Sequence, residues 1–235
     1  MPKMIGIFDS GAGGLFALSE LRAAKPLADL CFFADTANSP YGTREQGEIA
    51  RLLSAGISRL KCAGCEAVLI ACCTASSVID MLKPQERHGA VPIILPTALA
   101  AVRATRRARI AVISTEATHR SAAFGKAIAK IAPKVKVISR PTQALVSLVE
   151  AGACDANITA SARRALEDEL APLLSQDFDT LILGCTHFAH LEHEIRRLAG
   201  DGVAIISSAK EGVAELLRTL SEDELCGAGS TIYLR

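Results

Sequence analysis

Tryptophan is absent from the 235 residues, and aromatic side chains make up only 4% of them although 50% are hydrophobic. A core of that composition is filled by Ala, Leu, Ile and Val, which suits helices layered on a parallel sheet. An excess of either charge is missing as well: 26 basic residues face 25 acidic ones, for a formal net charge of +1. No global field draws such a chain onto nucleic acid or an anionic membrane, so neither is expected as a partner. No run approaches the ~20 uninterrupted apolar residues that span a bilayer. Met1-Pro-Lys-Met-Ile5 enters a strand-like segment without an apolar leader, so a cytoplasmic location is expected. The sequence also lacks GxxxxGKS or GxxxxGKT, the phosphate-cradling loop of many nucleotide-binding proteins.

Cysteine, by contrast, is plentiful: Cys31, Cys62, Cys65, Cys72, Cys73, Cys154, Cys185 and Cys226. At this length and without a leader, a secreted disulfide framework is not expected, and most of these thiols read as reduced, several of them as small buried hydrophobes. Cys62-Ala-Gly-Cys65 has C-x-x-C spacing, but no second ligand pair accompanies it. It reads as a helix end at Gly64, and no metal is expected. The basic run Arg103-Ala-Thr-Arg-Arg-Ala-Arg109 reads as a solvated helix end.

Short apolar runs alternate with helical periodicity along the whole chain. Strands are expected at residues 4–8, 30–34, 67–71, 93–95, 109–114, 134–139, 180–183 and 204–206. Helices are expected at 14–24, 44–61, 120–130, 160–174 and 191–198, with Ser208-Ala-Lys-Glu211 as a capping box opening another through about Leu220. The alternation argues for parallel sheets joined by right-handed crossovers. The two halves echo each other: a strand running into Cys72-Cys73-Thr74 in one is matched by a strand running into Cys185-Thr186-His187 in the other. The expected fold is therefore α/β, with two pseudo-symmetric lobes, each a mostly parallel sheet flanked by helices, and a site in the cleft between them. Residues 1–96 with 207–235 would form one lobe and 97–206 the second.

In open α/β sheets ligands bind at the carboxyl ends of strands. Asp9-Ser10-Gly11, Cys72-Cys73-Thr74 and Cys185-Thr186-His187 all fall at such ends. One cysteine there is an ordinary strand end, whereas a matched pair, one from each half, is a chemical arrangement. Inverting a stereocentre by deprotonation needs a base on one face of the carbon and an acid on the other. Thiols, with an ordinary pKa of about 8.5, reach either protonation state near neutral pH. Thr74, Thr186 and backbone amides are candidate donors to the charge that develops. Asp9 either tunes a thiol or caps the next helix; His187 either assists a thiol or is a satisfied loop histidine. The Asp9-Ser-Gly-Ala-Gly-Gly14 turn lacks G-x-G-x-x-G spacing, so its glycines are expected to let backbone approach a small anion such as a carboxylate.

At these motifs the sequence resembles the glutamate racemases of the aspartate/glutamate racemase superfamily. The resemblance is carried by Gly6-Ile-Phe-Asp-Ser-Gly-Ala-Gly-Gly-Leu15, Phe33-Ala-Asp-Thr-Ala37, Pro40-Tyr-Gly42, Ile70-Ala-Cys-Cys-Thr-Ala-Ser76, Ala117-Thr-His-Arg-Ser121, Leu148-Val-Glu150 and Leu183-Gly-Cys-Thr-His187. It implies a two-lobed fold and interconversion of L- and D-glutamate for peptidoglycan, without pyridoxal phosphate, metal or any other cofactor. It further implies that Cys72 and Cys185 are the acid/base thiols, that Asp9 and His187 assist them, and that Glu150 supports the site. Ser10, Pro40, Tyr41, Gly42, Cys73, Thr74, Thr118 and Thr186 take the substrate-binding positions. A homodimer is also compatible with the resemblance. Two departures stand out. Cys73 occupies the middle of a usual Cys-Asn-Thr run, replacing an amide with a weakly polar thiol. Leu95 stands in Val91-Pro-Ile-Ile-Leu-Pro96 where a Glu-Pro pair is common. A racemase for aspartate or another amino acid, a one-thiol decarboxylase or isomerase, and a catalytically silent amino-acid-binding protein are the alternatives.

Overall fold

The computed structural model describes residues 1–234. In chain order its elements are β1 (Met4–Asp9), α1 (Gly14–Ala24), β2 (Asp29–Ala34), α2 (Gln46–Cys62), β3 (Cys65–Ile70), α3 (Cys73–Ser76), β4 (Ala90–Pro92) and α4 (Ile94–Ala104). There follow β5 (Arg109–Ser114), α5 (Glu116–Ser121), α6 (Ala123–Ile131), β6 (Lys136–Pro141), α7 (Gln143–Glu150), α8 (Ala160–Leu174), β7 (Thr180–Gly184), α9 (Glu192–Ala199), β8 (Ala204–Ser207), α10 (Ser208–Thr219) and β9 (Thr231–Leu234).

The strands form two sheets, ordered β4-β3-β1-β2-β9 and β6-β5-β7-β8, and every pairing is parallel. The two orders share one logic. Strand β1 lies between β2 and β3, so the chain leaves it on one side and crosses back to the other; β5 lies between β6 and β7 in the same way. Each sheet therefore reverses direction once, between β1 and β3 and between β5 and β7. At such a switch point the carboxyl-end loops diverge and leave a crevice.

Successive residues of the strands serve different cores, as the two-residue strand period requires. Ile5, Ile7 and Leu69 face one cluster, while Phe8, Val68 and Ile70 face another formed with Ile49, Leu53, Ile57 and Leu60 of α2. The first cluster is shared between the sheets. It runs through α1, α10, α4 and α6 to Ile110, Val112 and Ile182 of the second sheet. The far face of that sheet packs on α7, α8 and α9 through Leu145, Leu166, Leu170 and Ile195.

Several expected boundaries are corrected. Residues 93–95 are not a strand: β4 ends at Pro92 and α4 begins at Ile94, with Pro96 in its first turn. Proline is tolerated there because first-turn N–H groups have no partner within the helix. The helix expected over 120–130 is two helices, broken at Ala122, whose φ of 52° is left-handed. The strand expected at 134–139 starts at Lys136, since Val135 N–H still closes a turn onto Ala132. Ser208 makes no capping box; its hydroxyl donates instead to the Leu183 carbonyl at 2.7 Å. Other readings hold. Helices 14–24 and 160–174 match α1 and α8 at both ends. Gly64, at φ 92°, ends the turn after α2, leaving Cys62 exposed and Cys65 buried. Arg107 and Arg109 meet the exposed Asp177 at the surface.

Candidate active site

Both switch points open onto one cavity. It is lined from the first sheet's side by Ser10, Tyr41, Gly42, Cys72 and Thr74, and from the second's by Thr115, Gln143, Cys185, Thr186 and His187. Pro40 and Glu150 line it as well. Its volume is about 20 Å³, room for about one water. As it stands the cavity is too small to hold an amino acid.

Cys72 follows β3 directly and Cys185 follows β7, so two matching strand ends deliver the thiols. Ser10, at the end of β1, puts its hydroxyl 3.2 Å from the Cys72 sulfur. His187 Nδ1 lies 3.6 Å from the Cys185 sulfur, and its Nε2 stands 3.5 Å from Glu150. Burial pushes the Cys72 thiol up to about 11, and the nearby Asp9 charge pushes the same way, against hydrogen bonds from the Ser10 hydroxyl and the Ala75 and Ser10 amides. Cys185 is raised well above the ordinary thiol range, first by burial and then by the negative forms of Cys73, Cys72 and Asp9. These groups share one poorly solvated volume. Burial also lowers His187 to about 4, so the imidazole is neutral at neutral pH and meets the Cys185 sulfur as a neutral hydrogen-bonding partner.

Asp9 lies behind the thiols. It is fully buried and accepts hydrogen bonds from the Gly11 amide at 3.0 Å and the Thr186 hydroxyl at 3.3 Å, which ties the end of β1 to the end of β7. Desolvation raises its carboxyl to about 7 in spite of those bonds. The glycines beside it serve the chain itself. A Cβ on Gly13 would stand 2.5 Å from Thr186 Oγ1 and 2.7 Å from His187 Nδ1, and one on Gly14 would stand 2.4 Å from the Asp9 Cβ. The close approach these two glycines allow is of the α1 turn to the segment after β7 at Gly13 and to Asp9 at Gly14.

Two expected substrate-binding residues do not reach the cavity. Cys73 points into the core shared by the sheets, where its thiol donates to the Ser208 hydroxyl at 3.1 Å. It opens the short helix α3, and the helical turn rotates its side chain away from that of Cys72. Thr118 lies behind the lining. Its hydroxyl is 3.2 Å from that of Thr74 and 3.0 Å from that of Thr115, so it braces a hydroxyl cluster spanning the two sheets. Asp9 likewise touches the chemistry only through neighbours. Ser39, Thr115, Gln143 and Val146 line the cavity without having been expected there. Thr115 carried a signal, a Thr three residues ahead of Thr118 at a helix start, and it does cap α5. Gln143 had only a weak one, Thr142 at the N-cap of α7, whose side chain makes no cap hydrogen bond.

Comparison with known proteins follows the same lines. The family model described as Asp/Glu/Hydantoin racemase matches residues 19–216. The glutamate racemase of Geobacter metallireducens is 39% identical over 220 residues, covering 92% of this chain and 80% of that protein. Among solved structures, glutamate racemase isoform RacE1 of Bacillus anthracis superposes with a TM-score of 0.89 at 32% identity, covering 98% of this chain and 86% of that one. Glutamate racemase of Francisella tularensis, solved in complex with D-glutamate, gives 0.85 at 26% identity, with the same coverages of 98% and 86%.

Proposed function

The chain belongs to the Asp/Glu/hydantoin racemase family, and we propose that it interconverts L- and D-glutamate by passing the Cα proton between Cys72 and Cys185. The observation that carries the assignment is that two thiols, each at the switch point of its own sheet, line a single cavity. A carbon held between them has a base on one face and an acid on the other. In one direction the Cys72 thiolate takes the Cα proton and the Cys185 thiol returns one from the opposite side; the reverse direction exchanges the roles. After one turnover the thiol and thiolate have traded places.

Thiols this buried are reluctant to ionise, and the substrate itself supplies the remedy. A zwitterion brings an ammonium into the cavity, and a positive charge within a few ångströms favours thiolate. The Ser10 hydroxyl and the amides of Ser10 and Ala75 hold negative charge on Cys72. Neutral His187, 3.6 Å from the Cys185 sulfur, orients that thiol toward the cavity. Charge that develops on the substrate carboxylate during deprotonation is met by the Thr74 hydroxyl and neighbouring amides, the single proton of the Thr186 hydroxyl being committed to Asp9. Asp9 positions Thr186 and sets the electrostatic level of both thiols.

The test is proton exchange at Cα in deuterated solvent with each enantiomer. The parent protein is expected to incorporate deuterium from either one. Cys72→Ser and Cys185→Ser should each lower kcat by about 10²–10⁴-fold, the usual worth of a positioned acid or base. Full activity in either variant overturns the two-thiol assignment.

A further inference from the structure

Gln143 is the only side-chain amide lining the cavity among the described residues, and no Arg or Lys lines it. A substrate with two carboxylates must then be held by neutral donors. Gln143 opens α7, at the carboxyl end of β6 in the second sheet, and its Oε1 is buried without a hydrogen-bond partner. It sits against the other side of the cleft: a Cβ on Gly42 would stand 2.4 Å from that oxygen and 2.9 Å from Thr115 Cβ. A buried polar atom left without a partner is rare in a folded chain, and in a binding cavity it marks where a ligand group completes the network. Rotation of the amide presents either its carbonyl or its two N–H donors to the same point.

The neighbours of Gln143 indicate which substrate group it meets. The carbon undergoing inversion lies between the thiols, so its carboxylate and ammonium fall among Ser10, 3.2 Å from the Cys72 sulfur, and Thr74 and Thr186, which follow the two thiols closely in sequence and line the same cavity. Gln143 adjoins Gly42 and lies beyond Thr115, whose hydroxyl is 2.9 Å from that of Thr74 and so links the two ends of the cavity. The group left for it is the far end of the substrate. The position next to Cys72 gives no amide for this purpose, since Cys73 is turned into the core.

We infer that Gln143 is a specificity-determining residue whose amide N–H donates to the side-chain carboxylate of the substrate and holds it beside Gly42 across the gap between the sheets. The inference rests on the amino-acid racemase reading above and extends it to the recognition of a dicarboxylate.

Steady-state kinetics with D- and L-glutamate on the full chain provide the test. Gln143→Leu keeps the bulk and removes the amide; KM should rise about ten- to hundredfold, the usual worth of a hydrogen bond to a charged group, with kcat changed less than about threefold. Gln143→Glu sets a negative charge against the carboxylate and should raise KM further. Gly42→Ala, which leaves the amide intact but displaces it and crowds Thr115 as well, should also raise KM. An unchanged KM in Gln143→Leu, or a loss confined to kcat, overturns the inference. If the parent protein exchanges deuterium normally while KM stays put, this inference fails alone. If the parent exchanges none, the racemase reading fails and takes the inference with it.

Discussion

Asp9 is the residue where fold and chemistry pull hardest against each other. Its carboxyl is held at about 7 by burial, against 3.8 when solvated, so the ionised form opposes folding. The sign follows directly. A carboxyl raised in the folded state loses stability for the fold as pH climbs from its unfolded value through its folded one, and the loss is complete above that. Asp9→Asn removes the charge and keeps an acceptor for Gly11. Relative to the parent, the variant should gain about 2 kcal/mol or more between about pH 5 and about pH 8, read as a melting-temperature difference that grows more positive with pH. Its kcat should fall meanwhile, since the thiols lose the partner that positions Thr186. A melting difference that is flat with pH removes the buried charge from this account. His187 behaves in the opposite sense: burial lowers it to about 4, so its neutral form is the folded form, and stability declines as pH falls from 6.5 toward that value.

At the scale of elements, the site depends on how closely the start of α1 approaches the segment after β7. Gly13 permits that approach because a side chain there would overlap Thr186 and His187, while Gly14 lets the same turn close on Asp9. Gly13→Ala should cost about 1–3 kcal/mol in denaturant unfolding, the range for overpacked interiors, and lower kcat by displacing Thr186 and His187. Gly47 is the control. It lies exposed in the first turn of α2 with nothing within 4 Å of a Cβ, so Gly47→Ala should be neutral or stabilising. Equal effects at the two positions would mean that the clash at Gly13 is relieved without consequence. Helix α3 shows the same dependence on short elements. One turn after Cys72 is enough to point Cys73 at Ser208 and return Thr74 to the cavity.

At the scale of the molecule, the two sheets repeat one topology and share one apolar core through α1, α4, α6 and α10. The cleft is closed in this arrangement, and Cys72 and Cys185 are only 4% and 7% exposed. All eight cysteines are free, but only Cys62 and Cys226 are exposed, with Cys154 partly so. A thiol-reactive chromophore should therefore label two sites quickly and a third more slowly. The remaining five should react at least about a hundredfold more slowly, at rates set by opening of the structure. D-Glutamate should slow Cys72 and Cys185 further while leaving Cys31 and Cys65 unaffected, as mass spectrometry of the labelled peptides would show. Rapid labelling of Cys72 or Cys185 without ligand contradicts a closed cleft.

Much of this was written in the sequence, because it is local. Short apolar runs marked most of the strands, though not β9 and wrongly at 93–95, helical periodicity marked α1 and α8, and matched strand–Cys–Thr segments marked both thiols, each property following from a few adjacent residues. What the chain could not announce depends on where distant segments meet. The Cys73 side chain is oriented by a single helical turn, Thr118 is held behind the cavity by Thr74 and Thr115, and the break at Ala122 interrupts an unbroken helical pattern. Gln143 enters the site because β6 happens to end opposite Gly42. Backbone periodicity is a property of neighbours in sequence, whereas a cavity is a property of neighbours in space, and only packing of the two sheets decides which side chains those are.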